Sequence, residues 1–195
     1  MFKNNLELII GPVCSGKSAE LIRKITRYQI AGYSVLLVKP KIDTRSSKVK
    51  SRNGSEMFCY QMDKSEDIYD TLVTCALEDE KAKDVSVIAI DEAQFYTNLY
   101  PVVKDLLLKG FKVIVSALDS DFNGDPFGDI TRLVTLSDNV SKLTAVCMEC
   151  KNDNAIFSQK LKKGGNQIEV GDLELYHPRC INCFVPGGVE EKNGN

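Results

Sequence analysis

Four short runs of the chain are dominated by apolar and mostly β-branched residues: Leu6 to Ile10, Ser34 to Val38, Ser86 to Ile90 and Lys112 to Ala117. None keeps a sustained in-and-out alternation, so each predicts a strand covered on both faces. Between the first two, Ala19 to Ile30 carries Leu21, Ile22, Ile25 and Tyr28 at helical spacing, which predicts an amphipathic helix. Val102 to Leu108 predicts a short helix ended by Lys109-Gly110, and Ser65 to Glu80 a polar amphipathic one. Lys41 to Gly54, with Lys41, Arg45, Lys48, Lys50 and Arg52, is polar and basic and predicts a mobile loop. Strands and helices that alternate in this way predict the α/β class, a parallel sheet with helices on each side. After Lys142 the pattern breaks into short segments between cysteine pairs. The expected division is a main domain over 1–141, a small subdomain over 142–186 and a loose Gly-, Glu-, Lys- and Asn-rich tail over 187–195.

The first strand runs into Gly11-Pro12-Val13-Cys14-Ser15-Gly16-Lys17-Ser18, a complete G-x-x-x-x-G-K-[ST] phosphate loop. Strand, loop and helix in that order set several backbone N–H groups around a phosphate, at the positive end of a helix dipole. In this motif the Lys17 ammonium neutralises the β/γ-phosphates and the Ser18 hydroxyl ligates magnesium. The fold expected is therefore a parallel-sheet P-loop (RecA-like) nucleotide-binding domain with a nucleoside triphosphate and Mg2+ as its ligands. The strand at Val85 to Ile90 ends in Asp91-Glu92-Ala93-Gln94-Phe95. A buried strand that delivers acids beside a phosphate loop suits Asp91 to hold magnesium. It leaves Glu92 to polarise a water in a hydrolase, or to take a proton from an acceptor hydroxyl in a kinase.

The 195 residues suit one domain with a small appendage, and a 43% hydrophobic share is enough for a core. The net charge of -2 argues against a general affinity for nucleic acid or an anionic membrane. One set of motifs in a chain this short also argues against a helicase, which the Asp-Glu-Ala-Gln step otherwise evokes. No apolar run approaches a transmembrane length, and with the first strand entered directly no signal peptide is expected. Seven cysteines without a secretory signal point to a reducing, cytoplasmic compartment. Two C-x-x-C pairs, Cys147/Cys150 and Cys180/Cys183, lie about thirty residues apart and fit a structural zinc with four thiolates and no open position; two redox dithiols are the competing arrangement. Cys14, Cys59 and Cys75 are expected as free thiols, and His177, the only histidine, is not needed as a ligand.

Taken together, these motifs resemble the type II, zinc-containing thymidine kinases over roughly residues 6 to 184. The resemblance is carried by the Gly11–Ser18 loop, Asp43-Thr44-Arg45, Asp91-Glu92-x-Gln94-Phe95 and Leu118-Asp119-x-x-Phe122-x-x-x-Pro126-Phe127-Gly128. It continues in Lys142-Leu143-x-Ala145-x-Cys147-x-x-Cys150 and Gly171…Tyr176-x-x-x-Cys180-x-x-Cys183. It implies ATP-dependent phosphorylation of thymidine at the 5′-hydroxyl, in nucleotide salvage for DNA synthesis. Glu92 takes the place of the general base. Gly11 to Ser18, Asp43, Arg45, Asp91 and Gln94 match the positions around ATP and magnesium. Phe95, Leu118, Phe122 and Tyr176 match the residues that enclose the base, while Gln167, Ile168, Glu169, Val170 and Gly171 match a zinc-anchored lasso that closes over the nucleoside. The resemblance further implies feedback inhibition by thymidine triphosphate (dTTP) and a homotetramer. The chain departs from many relatives at Val13, Cys14, Asp172 and Ile181, and more mildly at Ser158 and Lys160; none of these removes a magnesium ligand, the base or a zinc thiolate.

Overall fold

The computed structural model describes residues 6–43, 48–51, 54–71, 84–162, 171 and 173–189. Strand β1 (Leu6–Ile10) enters the glycine loop and α1 (Lys17–Ile30). β2 (Ser34–Pro40), the antiparallel hairpin β3 (Lys48–Lys50) and β4 (Glu56–Phe58), and the short β5 (Tyr60–Met62) follow. β6 (Val85–Ile90), α2 (Leu99–Leu108), β7 (Lys112–Ala117), α3 (Ile130–Leu133) and β8 (Asn139–Lys142) complete the main body. β9 (Phe157–Lys160) and β10 (Tyr176–Arg179) form a separate antiparallel ribbon.

Six strands pair in the order β5-β2-β6-β7-β1-β8, every pair parallel. The period-2 geometry of a strand then sorts the apolar residues into two cores. Leu6, Leu8, Ile10, Ile88, Ile90, Val113 and Val115 face α2, which supplies Val102, Val103 and Leu106. Ile9, Leu37, Val87, Ala89 and Ile114 face Leu21, Ile22 and Ile25 of α1. Covered on both faces, β1 and β7 have no exposed residue, and this is why their sequences are mostly apolar without alternation.

Several details differ from the sequence pattern. The basic stretch expected as a loop carries β3, because Lys48 pairs across the hairpin with Glu56 and Val49 is buried. Helix α2 begins at Leu99, three residues before the expected Val102, since Pro101 falls in its first turn, where a missing N–H costs nothing. The helix expected over Ser65 to Glu80 opens as a 3-10 turn at Ser65–Asp67 and continues through 68–71, and its remainder lies outside the described residues. β5 and β8 were not expected at all: each is a short, mixed-polarity edge strand with no periodic signature.

Two charges sit inside the sheet. Glu7 of β1 points to the α1 side and meets Lys112 Nζ at 2.8 Å, Lys24 Nζ at 2.5 Å and the Tyr28 hydroxyl at 2.9 Å. Burial favours the neutral acid, but the bonds from Lys112, Lys24 and Tyr28 outweigh it and bring Glu7 down to about 2 from a usual 4.5. Glu7 therefore contributes stability in full above pH 4.5, and that contribution is lost as the pH falls through 2. Glu7→Gln takes the carboxylate partner away from the fully buried Lys112 and is expected to destabilise the fold by about 2–4 kcal/mol at pH 7. Denaturant titration of both proteins should show that difference shrinking below pH 4.5.

Candidate active site

The glycine loop is fixed from both ends. After β8, the Leu143 N–H donates to the Ile10 carbonyl at 2.8 Å, and a Cβ on Gly11 would stand 2.4 Å from the Leu143 carbonyl oxygen. Only glycine allows that approach, at φ 150°. Cys14 (φ 62°) and Gly16 (φ 89°) are left-handed and turn the chain back toward α1. Inside the loop, Ser15 Oγ donates to the Pro12 carbonyl at 2.8 Å and Lys17 Nζ to the same oxygen at 2.6 Å. Lys17 is buried; loss of water lowers its pKa, against the opposing charges of Glu92, Asp91 and Asp119. A desolvated ammonium at a helix N-terminus is suited to an anion.

The carboxylates arrive from β6. The Asp91 N–H donates to Val38 of the neighbouring β2 at 2.9 Å, which holds Asp91 at the sheet edge, 5% exposed. Burial first, and then the charge of Glu92, push Asp91 up to about 6. Ser18 Oγ donates to Asp91 Oδ2 at 3.3 Å. A hydroxyl and a carboxylate that converge on one point are the oxygen donors a hard divalent cation takes, and such a charge would restore the Asp91 anion. The residues present therefore fit magnesium, with Ser18 and Asp91 as its holders.

Glu92 has left-handed backbone angles (φ 49°, ψ 38°), an unfavourable conformation for a non-glycine residue. Its side chain is held as well: Gln94 Nε2 donates to Glu92 Oε2 at 2.7 Å, while Gln94 Oε1 accepts from the Leu118 N–H at 3.0 Å. Buried Gln94 thus ties the Glu92 carboxylate to the end of β7. Of the residues expected around a base, Phe122 and Tyr176 are buried, Phe95 meets Phe127 edge-on at 5.9 Å, and Leu118 is half-buried.

The ribbon reaches the loop directly. The Val13 N–H donates to Ser158 Oγ of β9 at 3.0 Å, and Lys160 Nζ lies 4.9 Å over the Phe122 ring. Phe157 and Phe184 stack at 4.2 Å and close on Gly124, where an added Cβ would stand 3.2 Å from Phe184. At the ribbon's far end, the sulfurs of Cys147, Cys150, Cys180 and Cys183 all lie within 4.8 Å of one another. Cys150 and Cys180 are 3.7 Å apart, against about 3.8 Å for the edge of a tetrahedron with 2.3 Å Zn–S bonds. Burial opposes the Cys147 thiolate, but backbone N–H groups of Cys150, Cys180 and Glu149 bring it down to about 6. Cys183 is pushed up to about 12, first by its bond to the Cys180 thiol and then by burial. Four sulfurs gathered around one point at this spacing are the donor set of a tetrahedral zinc, so the set fits zinc. His177 lies outside this set.

Asp43 is buried against Lys39, whose Nζ donates to it at 3.1 Å. Arg45, Gln167, Ile168, Glu169 and Val170 lie outside the described residues, while Gly171 is packed against the Leu175 side chain. Sequence reasoning missed Lys39 as the partner of Asp43, Ser158 as the strut to Val13 and Lys142 as the partner of Asp119 at 2.8 Å. The signals available were the place of Lys142 at the head of a motif and the departure from relatives at Ser158. No helix among the described residues is long and apolar enough to cross a membrane.

Comparison with known proteins bears on this geometry. The family model described as thymidine kinase matches residues 4–184. A thymidine kinase of Mycoplasma genitalium is 40% identical over 178 residues, covering 89% of this chain and 80% of that one. The cytosolic thymidine kinase of Homo sapiens is 37% identical over 198 residues, covering 97% and 80%. A thymidine kinase of Bacteroides thetaiotaomicron is 36% identical over 192 residues, covering 97% and 91%.

Proposed function

Since the chain belongs to the thymidine kinase family, we propose that it transfers the γ-phosphate of ATP to the 5′-hydroxyl of thymidine, giving thymidine monophosphate and ADP. The observation that carries this is the placement of Glu92, whose carboxylate Gln94 fixes beside buried Lys17 and Asp91.

Glu92 takes the proton of the 5′-hydroxyl as its oxygen bonds to phosphorus. The bond from phosphorus to the β-phosphate oxygen breaks, and the electron pair leaves with ADP. Gly11 to Ser18 cradle the triphosphate, and Lys17 neutralises the charge that the transferred group spreads over its oxygens. Magnesium, when bound, screens the phosphates of ATP, and Ser18 and Asp91 would hold it. Arg45 and Asp43 take the places near the phosphates that the family resemblance gives them, and Lys39 anchors Asp43. Phe95, Leu118, Phe122 and Tyr176 enclose the base, and Gln167 to Gly171 close over it as a lasso. Cys147, Cys150, Cys180 and Cys183 would hold zinc, which would tie down the chain on either side of that segment and lower the entropy lost on closure. The enzyme serves nucleotide salvage in the cytoplasm, as a homotetramer inhibited by dTTP.

Val13 leaves more room than a longer side chain would, and one missing methylene is worth about 1–3 kcal/mol of discrimination at most. Deoxyuridine should therefore compete with thymidine within that range. Incubation with labelled ATP, magnesium and thymidine, deoxyuridine or deoxycytidine tests both statements. Monophosphate is expected from thymidine first and deoxyuridine second; no product from any of the three rejects the assignment.

A further inference from the structure

The parallel order of the sheet puts the C-terminal end of β7 between two strand ends that carry the phosphate chemistry. On one side β6 ends in Asp91 and Glu92, and on the other β1 enters the glycine loop. Two residues past the end of β7, the chain delivers Asp119 to this edge. Asp119 lies close enough to Lys17 to favour its ammonium form, the third carboxylate to do so after Glu92 and Asp91. One of its oxygens, Oδ2, lies 2.8 Å from Lys142 Nζ. The other, Oδ1, is buried and has no hydrogen-bond partner among the described residues.

A buried carboxylate oxygen left bare is destabilising, and such groups need a reason to persist. The ion pair with Lys142 does not supply one. The Lys142 side chain is 52% exposed, and pairs of that kind contribute little. The neighbouring acids already have donors: Ser18 on Asp91 and Gln94 on Glu92. Asp119 Oδ1 thus offers unused acceptor capacity at the edge where Lys17 and Asp91 converge. Magnesium keeps several of its waters when it is held through one or two carboxylates, and those waters need fixed acceptors.

We propose that Asp119 is a positioning residue for the magnesium–triphosphate complex, its bare oxygen accepting a hydrogen bond from water carried by the metal. The proposal rests on the kinase assignment of the same loop. It uses a residue that the sequence offered only as part of a motif, with no role attached.

Mn2+ serves as the probe, titrated into protein saturated with a non-hydrolysable ATP analogue while free Mn2+ is read by electron paramagnetic resonance. Asp119→Asn keeps the shape and is expected to weaken Mn2+ binding by about 10–100-fold, the usual cost of an outer-sphere partner. Affinity for the same analogue in EDTA should move by less than about threefold, because the metal is then absent from the complex. Lys142→Met removes the ion pair and keeps the carboxylate, so its Mn2+ affinity should also stay within about threefold. Melting temperature and bound zinc confirm the fold of each variant, with Asp119→Ala used if Asn disturbs it. Unchanged Mn2+ affinity in the Asp119 variant overturns the proposal. So does an equal loss in Lys142→Met, because the ion pair would then be the operative feature. A wild-type protein that binds the analogue neither with Mn2+ nor without it overturns the kinase assignment itself, and Asp119's role with it.

Discussion

Replacing Glu92 by Gln is expected to lower the turnover of thymidine by about 10²–10⁴-fold, the usual contribution of a positioned general base. The substitution keeps the volume and a hydrogen-bonding oxygen for Gln94, so the held geometry at the end of β6 survives. What disappears is the ability to take the 5′-hydroxyl proton. Affinities for thymidine and for magnesium–ATP should therefore stay within about threefold, with kcat and kcat/KM falling together, as for an interaction made only in the transition state. Zinc content should not change, because Glu92 is not one of the four cysteine ligands. A loss smaller than about tenfold would mean that another group takes the proton.

The second large effect is expected from the cysteines. Among the described residues their subdomain has a very small apolar core of its own: Ala145, Cys147, Ala155 and Cys180, with Cys183 against them. Three of those five residues are the metal's own ligands. A cluster that small cannot hold a ribbon together by burial, so the metal is its core. Structural zinc sites of this type are worth on the order of 10 kcal/mol of folding free energy. Stripping zinc, or Cys180→Ser, should release β9 and β10 while the six-stranded sheet stays folded, since its two cores do not include the ribbon. Release removes the Ser158 strut from Val13 and the Lys160 and Phe157 contacts from the 118–128 segment. Thymidine affinity is expected to fall by about 10²-fold or more, through the ordering entropy that the open lid must lose on closing. Nucleotide affinity should fall less, because the loop's own bonds to Pro12 remain. Calorimetry on zinc-stripped protein, with far-UV circular dichroism to show the retained sheet and helices, measures both. Full thymidine affinity without zinc would contradict this.

The parts of this protein that were legible in its sequence are those whose signal is local. β1, β2, β6 and β7 show themselves because strands buried on both faces need mostly apolar runs without alternation. The glycine loop shows itself because its left-handed turns and close approach to Leu143 demand glycine at fixed spacing. The paired cysteines show themselves by spacing alone. Features made by distant residues were not legible. Ser158 lies 145 residues from Val13, and nothing near either residue marks the bond. The partners of Glu7 were not legible either: only the pairing of β1 with β7 and the packing of α1 bring Lys112, Lys24 and Tyr28 to it. The edge strands β5 and β8 were invisible because an edge needs neither apolar faces nor length, only a neighbour with free backbone groups. Gln94 was assigned to the nucleotide by resemblance, and its hydrogen bonds run to Glu92 and Leu118.

The central claim is that one site brings the tail of ATP and the primary alcohol of thymidine together at Glu92. A crystal structure with thymidine and a non-hydrolysable ATP analogue tests it most directly. The account predicts the β- and γ-phosphates inside the Gly11–Ser18 loop, with a Glu92 carboxylate oxygen within about 3.2 Å of the 5′-oxygen. A nucleoside whose 5′-oxygen faces away from Glu92, or a triphosphate bound elsewhere with the glycine loop empty, would contradict it.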